Sequence, residues 1–147
     1  SLLSNDPKKG NYKSPLFYTF QLFSNNCLGK SIDTYVSCDS FDTDKYKGIP
    51  YLDVTTTYAK DNRTVFVNVV NRHKDKAITA DILNTAGNFE SKATIHNISS
   101  NDLQEPFSYD KKEQYVPVKQ ELNTKNNQLA VSFPAHSFTQ IKLTLKK

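Results

Sequence analysis

Short segments in which apolar and polar residues alternate constrain the fold of this chain more than any other feature. Alternation with a period of two is typical of strands that are buried on one face. Roughly seven to nine such segments follow one another at the spacing of antiparallel sandwiches. The pattern therefore predicts an all-β fold, an antiparallel, jelly-roll-like β-sandwich preceded by one N-terminal helix. The clearest predicted strands are 31–38, 51–59, 64–72, 77–84, 92–99, 115–122, 129–134 and 138–145.

Two of these strands, 51–59 and 64–72, are predicted to form a hairpin. The connection between them contains Asp61 and Asn62, which favour tight turns. By contrast, residues 40–50 are polar, which predicts a loop. Residues 99–114 show neither the period of a strand nor that of a helix. Pro117 lies inside segment 115–122, and proline is tolerated mainly on edge strands, so we expect an edge strand there.

Residues 14–27 predict the helix. Ser14 is a candidate N-cap, Pro15 suits the first helical position, and Gly29 is placed to end the helix with a positive φ. Apolar residues fall on two sides of the helix: Leu16, Phe20, Phe23 and Cys27, with Phe17 beside them, on one side, and Tyr18 and Leu22 on the other. A helix with two apolar faces is expected to be buried on both.

Composition excludes some classes of function. The net charge is +4, yet the lysines alternate with acids, which favours a solvated surface over a nucleic-acid interface. No apolar run approaches the roughly 20 residues of a membrane span. The chain contains no Met, and residues 1–10 are polar, so we expect a piece of a longer protein that starts with an irregular linker. For the cellular compartment, a periplasmic or secreted location and a cytoplasmic one both stay open.

The two cysteines, Cys27 and Cys38, cannot complete a zinc site by themselves. A disulfide between them would stabilise the fold by at most about 3 kcal/mol. We favour two buried free thiols, because Cys38 continues the apolar face of a predicted strand.

No catalytic pattern is found among the ionisable residues, and no cofactor or metal site is predicted. Glycoside hydrolysis needs two converging carboxylates, which a sequence cannot show. The acids lie mostly in predicted loops or on solvent faces: Asp33, Asp39, Asp42, Asp44, Glu113 and Glu121. His136 is followed by Ser137, but neighbours in an extended chain point to opposite faces. We therefore expect His73, His96 and His136 to make structural hydrogen bonds that hold turns.

Exposed aromatic rings would suggest a second function, the stacking of sugars. The candidates are Tyr12, Tyr35, Tyr46, Tyr51, Tyr58, Tyr109 and Tyr115. The chain has no Trp, and core or edge packing is the better interpretation of most of these tyrosines. Asn62 and Asn97 match the glycosylation pattern, which carries little weight in an Asn-rich chain.

Three stretches together resemble one known family. The helix carries a "YxxFxLFS"-type pattern that ends at Ser24, residues 49–82 read "IPYLDVTTTYAKDNRTVFVNVVNRHKDKAITADI", and residues 133–143 read "FPAHSFTQIKL". This order resembles the C-terminal region of α-L-arabinofuranosidases of glycoside hydrolase family 51. The resemblance covers roughly 14–145, and 99–116 is its least familiar part.

The resemblance implies a division into residues 1–29, a linker and the last helix of an absent (β/α)8 barrel, and residues 30–147, a β-sandwich domain. It implies a parent enzyme, a retaining hydrolase, that releases terminal arabinofuranose from arabinan or arabinoxylan. The catalytic glutamates of such enzymes belong to the barrel, so no catalytic residue carries over to this chain. The implied partner is the barrel, with a carbohydrate-binding role as the alternative. The apolar helix leads us to expect that the chain either self-associates or docks this helix onto its own sandwich.

Overall fold

The computed structural model describes residues 2–105 and 108–147. In this part of the chain, one α-helix, α1 (Pro15–Asn26), and a single turn of 3-10 helix, Tyr109–Lys111, accompany strands that pair antiparallel. In chain order the strands are β1 (Leu3–Asp6), β2 (Gly10–Lys13), β3 (Lys30–Ile32), β4 (Ser40–Phe41), β5 (Ile49–Pro50), β6 (Leu52–Ala59), β7 (Thr64–Asn71), β8 (Ile78–Leu83), β9 (Lys92–Ile98), β10 (Val118–Asn123), β11 (Gln128–Phe133) and β12 (Ser137–Thr144).

A six-stranded antiparallel sheet forms the main layer, in the order β10-β9-β12-β7-β6-β3. The second layer of the sandwich is a much narrower sheet in which β8 pairs with β11. Alternating side chains from both layers meet between them and form the main core. Its fully buried members include Phe133, Ile95, Leu129, Ile141 and Leu143.

The outer face of the six-stranded sheet is covered as well, by α1. Strand β7 is buried at seven of its eight positions, so both of its faces are covered. A second cluster forms there from Tyr18 of the helix and Ile98, Tyr115 and Phe138, with Phe17, Leu22 and Phe23 packed against it. The domain therefore has three layers: helix, wide sheet and narrow sheet.

These observations confirm the predicted all-β sandwich with an N-terminal helix and the hairpin formed by β6 and β7. The irregular start predicted for residues 1–10 is wrong, because β1 and β2 form a hairpin there. Asp6 closes its turn by accepting hydrogen bonds from the backbone N–H groups of Lys8 and Lys9, each at 2.8 Å, and Gly10 has a φ of 79°. The loop predicted for residues 40–50 also contains a short pair, β4 with β5.

The strand predicted at 31–38 is wrong beyond Ile32. Only Lys30–Ile32 pairs with β6, and residues 33–38 have no ladder partner among the described residues. Pro117 is also outside its strand, since β10 begins at Val118 and forms the edge of the wide sheet. The edge strand was predicted on the condition that Pro117 lies within it, and this condition is not met, although β10 does lie at the edge.

Both predicted ends of the helix differ in detail. Ser14 occupies the N-cap position, yet its hydroxyl makes no capping bond and donates to the carbonyl of Leu2 at 3.2 Å. Gly29 does not adopt a positive φ. A Cβ atom at Gly29 would lie 2.2 Å from the carbonyl oxygen of Tyr58, so this glycine is required by close contact between backbones rather than by its φ.

Candidate functional site

Two of the stretches that carry the family resemblance meet at one corner of the sandwich. Asn71 ends β7, is fully buried, and donates to the carbonyl oxygens of Phe133 at 3.0 Å and Pro134 at 2.9 Å. The Asn71 side-chain oxygen accepts a bond from the backbone N–H of His73 at 2.9 Å. One side chain therefore joins the end of β7 to the connection between β11 and β12.

His73 organises the loop that follows. Its Nδ1 accepts hydrogen bonds from the backbone N–H groups of Asp75 at 3.1 Å and Lys76 at 3.0 Å. The imidazole also stacks on the ring of Tyr51 with centroids 4.6 Å apart. Its Nδ1 and one ring face are thus already occupied by structural contacts.

Arg72, between these two residues, fastens the same corner to β6. Its guanidinium forms an ion pair with Asp53 and donates to the carbonyl of Pro50 at 3.2 Å. The "PYLD" stretch, which contains Pro50 and Asp53, is therefore in direct contact with Arg72 of the "NRH" stretch.

His136 completes the corner from the other side. Its backbone N–H donates to the carbonyl of His73 at 2.9 Å, and its ring nitrogens lie 2.8 Å from the carbonyl oxygen of Lys74 and 2.9 Å from that of Ser100. Ser137 donates to Pro134 at 2.7 Å, not to the imidazole. The prediction that His73 and His136 hold turns is confirmed.

An open cleft of about 440 Å³ lies beside His136. Its walls are turn residues: Lys74, Asp75, Ala77, Ser99, Ser100, Asn101, Pro134, Ala135 and His136. The His136 imidazole and several backbone groups in this cleft already form hydrogen bonds with one another. The cleft therefore suits a structural role, in which it holds three loops together.

His96 lies elsewhere, on β9. Burial, assisted by the nearby Lys119 ammonium, lowers the pKa of His96 below its ordinary value. The neutral imidazole is thus favoured, which suits a half-buried position on a sheet. No bond that would tie His96 to a turn is seen within the described residues, so its predicted role in holding a turn stays a prediction.

The candidate carboxylates are scattered over the surface. Asp42 accepts a bond from the Gly48 N–H at 2.8 Å and lies 3.4 Å from Lys47, and Glu121 pairs with Lys92 at 3.1 Å. The other candidates, Asp33, Asp39, Asp44 and Glu113, are also exposed. Among residues 2–105 and 108–147, no group of three or more His, Cys, Asp or Glu side chains is placed to hold a metal ion.

A larger concavity than this cleft is a groove between the two sheets, which we call the interlayer groove. It has a volume of about 770 Å³, and it is bordered by β8 on one side and by residues 32–37 on the other. Its floor is aliphatic and includes Leu52, Val54, Val65, Val67, Val69, Ile82, Leu143 and Leu145. Asp33 and Asp81 also line it, and both are exposed. Such a floor offers few hydrogen-bonding groups to a sugar.

A buried polar network fastens α1 to the outer face of the wide sheet. Gln140 accepts a bond from the side-chain amide of Asn26 at 2.6 Å and donates to Asn68 at 2.8 Å and to the carbonyl of Leu22 at 3.2 Å. Sequence analysis missed these residues. The available signal was an amide side chain in the middle of each of two predicted strands, at Asn68 and Gln140.

The two cysteines lie on opposite sides of the wide sheet, and both are free thiols. The Cys27 sulfur is 3.4 Å from the side-chain nitrogen of Asn68, in the network under the helix. Cys38 packs against the main core on the other face. Both thiols are partly buried, in line with the prediction of free thiols.

The tyrosines divide into buried and exposed groups. Tyr12, Tyr18 and Tyr115 are buried. Burial is the largest of the causes that raise the pKa of each of these phenols. Tyr35 is 93% exposed and Tyr46 58% exposed, so these two remain the candidates for sugar stacking. The others, Tyr51, Tyr58 and Tyr109, are half-buried.

The two glycosylation patterns differ in access. Asn62 is exposed in the turn between β6 and β7. Asn97 is half-buried, and its side-chain nitrogen donates to Thr139 at 2.8 Å, which occupies the atom that a glycan would need. Among the described residues, none of the helices combines the length and the apolar character that a membrane crossing requires.

Comparison with known proteins gives a consistent result. Residues 2–137 match the family model of the α-L-arabinofuranosidase C-terminal domain. A comparison with curated proteins finds no match.

Several solved structures share the fold. An α-L-arabinofuranosidase from Thermotoga maritima, in complex with arabinose, aligns with a TM-score of 0.85 and 18% identity over 97% of this chain and 31% of that one. A family 51 enzyme from Thermotoga petrophila aligns at 0.79 with 20% identity over 92% and 30%. A family 51 enzyme from Xanthomonas axonopodis pv. citri aligns at 0.83 with 15% identity over 97% and 28%.

The chain thus spans about a third of the length of these structural relatives. The family match covers most of the chain, and it confirms the resemblance drawn from residues 49–82 and 133–143. The chain therefore belongs to the family of α-L-arabinofuranosidase C-terminal domains.

Proposed function

We propose that this domain supports the catalytic (β/α)8 barrel of a parent α-L-arabinofuranosidase. The parent enzyme is a retaining glycoside hydrolase that releases terminal arabinofuranosyl residues from arabinan or arabinoxylan. This chain contributes no catalytic carboxylate. Its chemistry is structural, because His73, His136 and the buried amides bond to the protein's own backbone and side chains.

The observation that carries the proposal is the two-sided character of α1. One side is fixed to the wide sheet through Tyr18, which is 8% exposed, and through the Asn26–Gln140 bond. The other side presents Leu16 at 57% and Phe20 at 61% exposure. Leu28, just past the helix, is 79% exposed. An apolar patch on a helix that the domain holds rigidly is suited to packing against a second folded body.

The proposed boundary places residues 1–29 with the barrel and residues 30–147 with the sandwich. In support, α1 is the only helix longer than one turn in the described part of the chain, and it precedes the first strand of the wide sheet. On this proposal α1 is the shared element, with its Tyr18 side on the sandwich and its Phe20 side on the barrel.

The test is Phe20→Glu in the parent chain and, separately, in this 147-residue chain. We expect the parent to lose thermal stability and its turnover of a chromogenic arabinofuranoside to decay faster on heating. The isolated domain should keep its unfolding midpoint, because Phe20 already faces solvent there. Val118→Glu is the matched control, since Val118 is 67% exposed at the sheet edge, away from the helix.

Equal effects of Phe20→Glu and Val118→Glu on the parent would contradict the proposed contact. Sedimentation of the isolated domain adds a second reading, because an uncovered Phe20 face should also promote self-association that Phe20→Glu abolishes. Turnover by the isolated domain that a single carboxylate substitution removes would overturn the non-catalytic role.

The alternative function, a carbohydrate-binding module, is favoured only by the exposure of Tyr35 and Tyr46. Affinity electrophoresis on arabinan and arabinoxylan gels decides between the two. Retardation that Tyr35→Ala or Tyr46→Ala abolishes would support sugar binding, and unchanged migration would support the scaffold.

A further inference from the structure

His136 faces two hydrogen-bond acceptors at once. Its Nδ1 lies 2.8 Å from the carbonyl oxygen of Lys74, and its Nε2 lies 2.9 Å from that of Ser100. A neutral imidazole carries only one N–H, so it can donate to one of these oxygens and must turn a lone pair toward the other. The imidazolium carries two N–H groups and satisfies both oxygens. The two carbonyl groups therefore favour the protonated ring.

His73, at the other end of the same contact, is in the opposite situation. Its Nδ1 accepts the backbone N–H groups of Asp75 at 3.1 Å and Lys76 at 3.0 Å, so this nitrogen must keep its lone pair. Asp6 makes the same pattern in the first hairpin, where one side-chain oxygen accepts the N–H groups two and three residues further on. Protonation of Nδ1 would place a third N–H against the other two. The turn therefore requires the neutral ring.

The backbone couples the two rings. The His136 N–H donates to the carbonyl of His73 at 2.9 Å. His136 also has a φ of 38°, in the left-handed region that L-residues rarely adopt, so the surrounding bonds must hold a strained backbone in place. The adjoining cleft is lined by one ammonium and one carboxylate, those of Lys74 and Asp75, which lie 3.9 Å apart. Since these opposite charges offset each other, the carbonyl groups decide the protonation state of His136.

Other ionisable groups around the two rings are already bonded or stacked. Asp102, in the loop after β9, accepts a backbone N–H at 2.9 Å through its carboxylate. Beside His73, Arg72 forms an ion pair with Asp53, and the Tyr51 ring stacks on the imidazole. The hydrogen bonds to the backbone are therefore the main influence on the protonation of both histidines.

Ser100 connects this corner to the cluster beneath α1. Its carbonyl faces Nε2 of His136, and its side chain forms a hydrogen bond with Tyr115. Tyr115 is 7% exposed and belongs to the cluster on which the helix packs. If His136 loses its second N–H, it therefore releases a residue that also contacts the helix side of the domain.

We propose that this corner is a pH-dependent clamp, which is closed when His136 is an imidazolium and His73 is neutral. The clamp joins the loops that follow β7, β9 and β11. It opens on the basic side when His136 releases its proton, and on the acidic side when His73 takes one up. The clamp lies within this domain, so it does not require the barrel contact proposed for α1.

Each ring contributes to the pH dependence with its own sign. The folded domain retains the proton of His136 at pH values where the unfolded chain has released it, so this contribution is full in acid and is lost as the pH rises. The folded domain keeps His73 neutral at pH values where the unfolded chain has bound a proton, so that contribution is full on the basic side and is lost as the pH falls. The two declines give a maximum of stability near the ordinary histidine value of about 6.5, far below the tyrosine value of about 10.

The direct test is the protonation of the two rings in the intact 147-residue chain, read from the nitrogen chemical shifts of an isotope-labelled sample. At a pH of about 6.5, a solvated imidazole is half protonated. We expect both nitrogens of His136 to be fully protonated there, and Nδ1 of His73 to carry no proton. Half protonation of either ring would overturn the clamp. The chemical shifts need no variant, so they decide the question even if a substitution prevents folding.

Two substitutions separate the contributions of the rings to the melting temperature. Wild type should lose about 2–5 °C as the pH rises by about two units from the maximum, since one hydrogen bond is lost. His136→Gln should remove this basic decline, because an amide does not titrate. His73→Asn keeps an acceptor oxygen, as Asp6 does, and should make the acidic decline shallower without opening the turn.

His96→Gln is the matched control, since His96 lies on β9, outside the corner. Burial, with the nearby Lys119, lowers the pKa of His96, so this variant should lessen the acidic decline but leave the basic one unchanged. A basic decline that persists in His136→Gln, or that His96→Gln removes, would contradict the role of His136. An acidic decline that His73→Asn leaves as steep as in wild type would contradict the role of His73.

Discussion

At the scale of single residues, this domain depends on amide side chains that lie buried in two strands of the wide sheet, β7 and β12. Asn71 is 0% exposed, Gln140 1% and Asn68 3%. Buried amides are tolerated when their donors and acceptors are paired, and these are. Asn68 and Gln140 lie beneath α1, the helix that covers the second face of β7 and β12.

The first residue-scale prediction concerns Gln140→Ala. The substitution leaves the side-chain nitrogen of Asn26 and the side-chain oxygen of Asn68 without their partner. Removing one member of a buried hydrogen-bonded pair costs about 1–3 kcal/mol, so we expect the free energy of unfolding to fall by about that amount. Urea titration measures it, with the exposed Gln120→Ala on β10 as the control. Equal losses for the two variants would show that the network contributes nothing specific.

At the scale of elements, the junction between α1 and β3 leaves no space for a side chain at Gly29. Gly29 lies against the backbone of Tyr58 in β6, where the carbonyl oxygen would be only 2.2 Å from an added Cβ. The helix therefore enters the sheet edge through a position that only glycine fits.

The element-scale prediction is that Gly29→Ala destabilises the domain. The backbone of β6 cannot yield as a flexible side chain would, so overpacking should cost about 1–3 kcal/mol of unfolding free energy. Gly87→Ala is the matched control, because its nearest atom would be 3.8 Å away and its φ is not positive. Chemical denaturation should show Gly87→Ala unchanged or slightly stabilised. A neutral Gly29→Ala would mean that β6 moves aside easily.

At the scale of the whole molecule, the domain has two cores on opposite faces of one sheet. The inner core is aliphatic with Phe89 and Phe133, whereas the outer cluster contains Tyr18 and Tyr115 beneath the helix. The two cores therefore differ in how they respond to pH, because two buried phenols, Tyr18 and Tyr115, belong to the outer cluster.

The prediction at this scale is a loss of stability in alkali. Burial raises the pKa of Tyr18 and Tyr115 above the ordinary value of about 10. As pH rises past that value, the unfolded chain releases phenol protons that the folded chain retains, so the free energy of unfolding must decrease. Urea titrations from neutral pH upward should show this decline, and Tyr115→Phe should make it shallower. An identical pH slope in the variant would contradict the assignment.

The sequence by itself determined the strands whose period-two pattern is local, the β6–β7 hairpin and the span of α1. It also identified the "NRH" and "PAHS" stretches that prove to meet at Asn71 and His136. Only the tertiary structure decided that residues 33–38 have no ladder partner in the described part of the chain, that Gln140 lies beneath the helix, and which face of α1 stays open. Periodicity reports the alternation of one segment, whereas pairing and burial depend on partners distant in sequence.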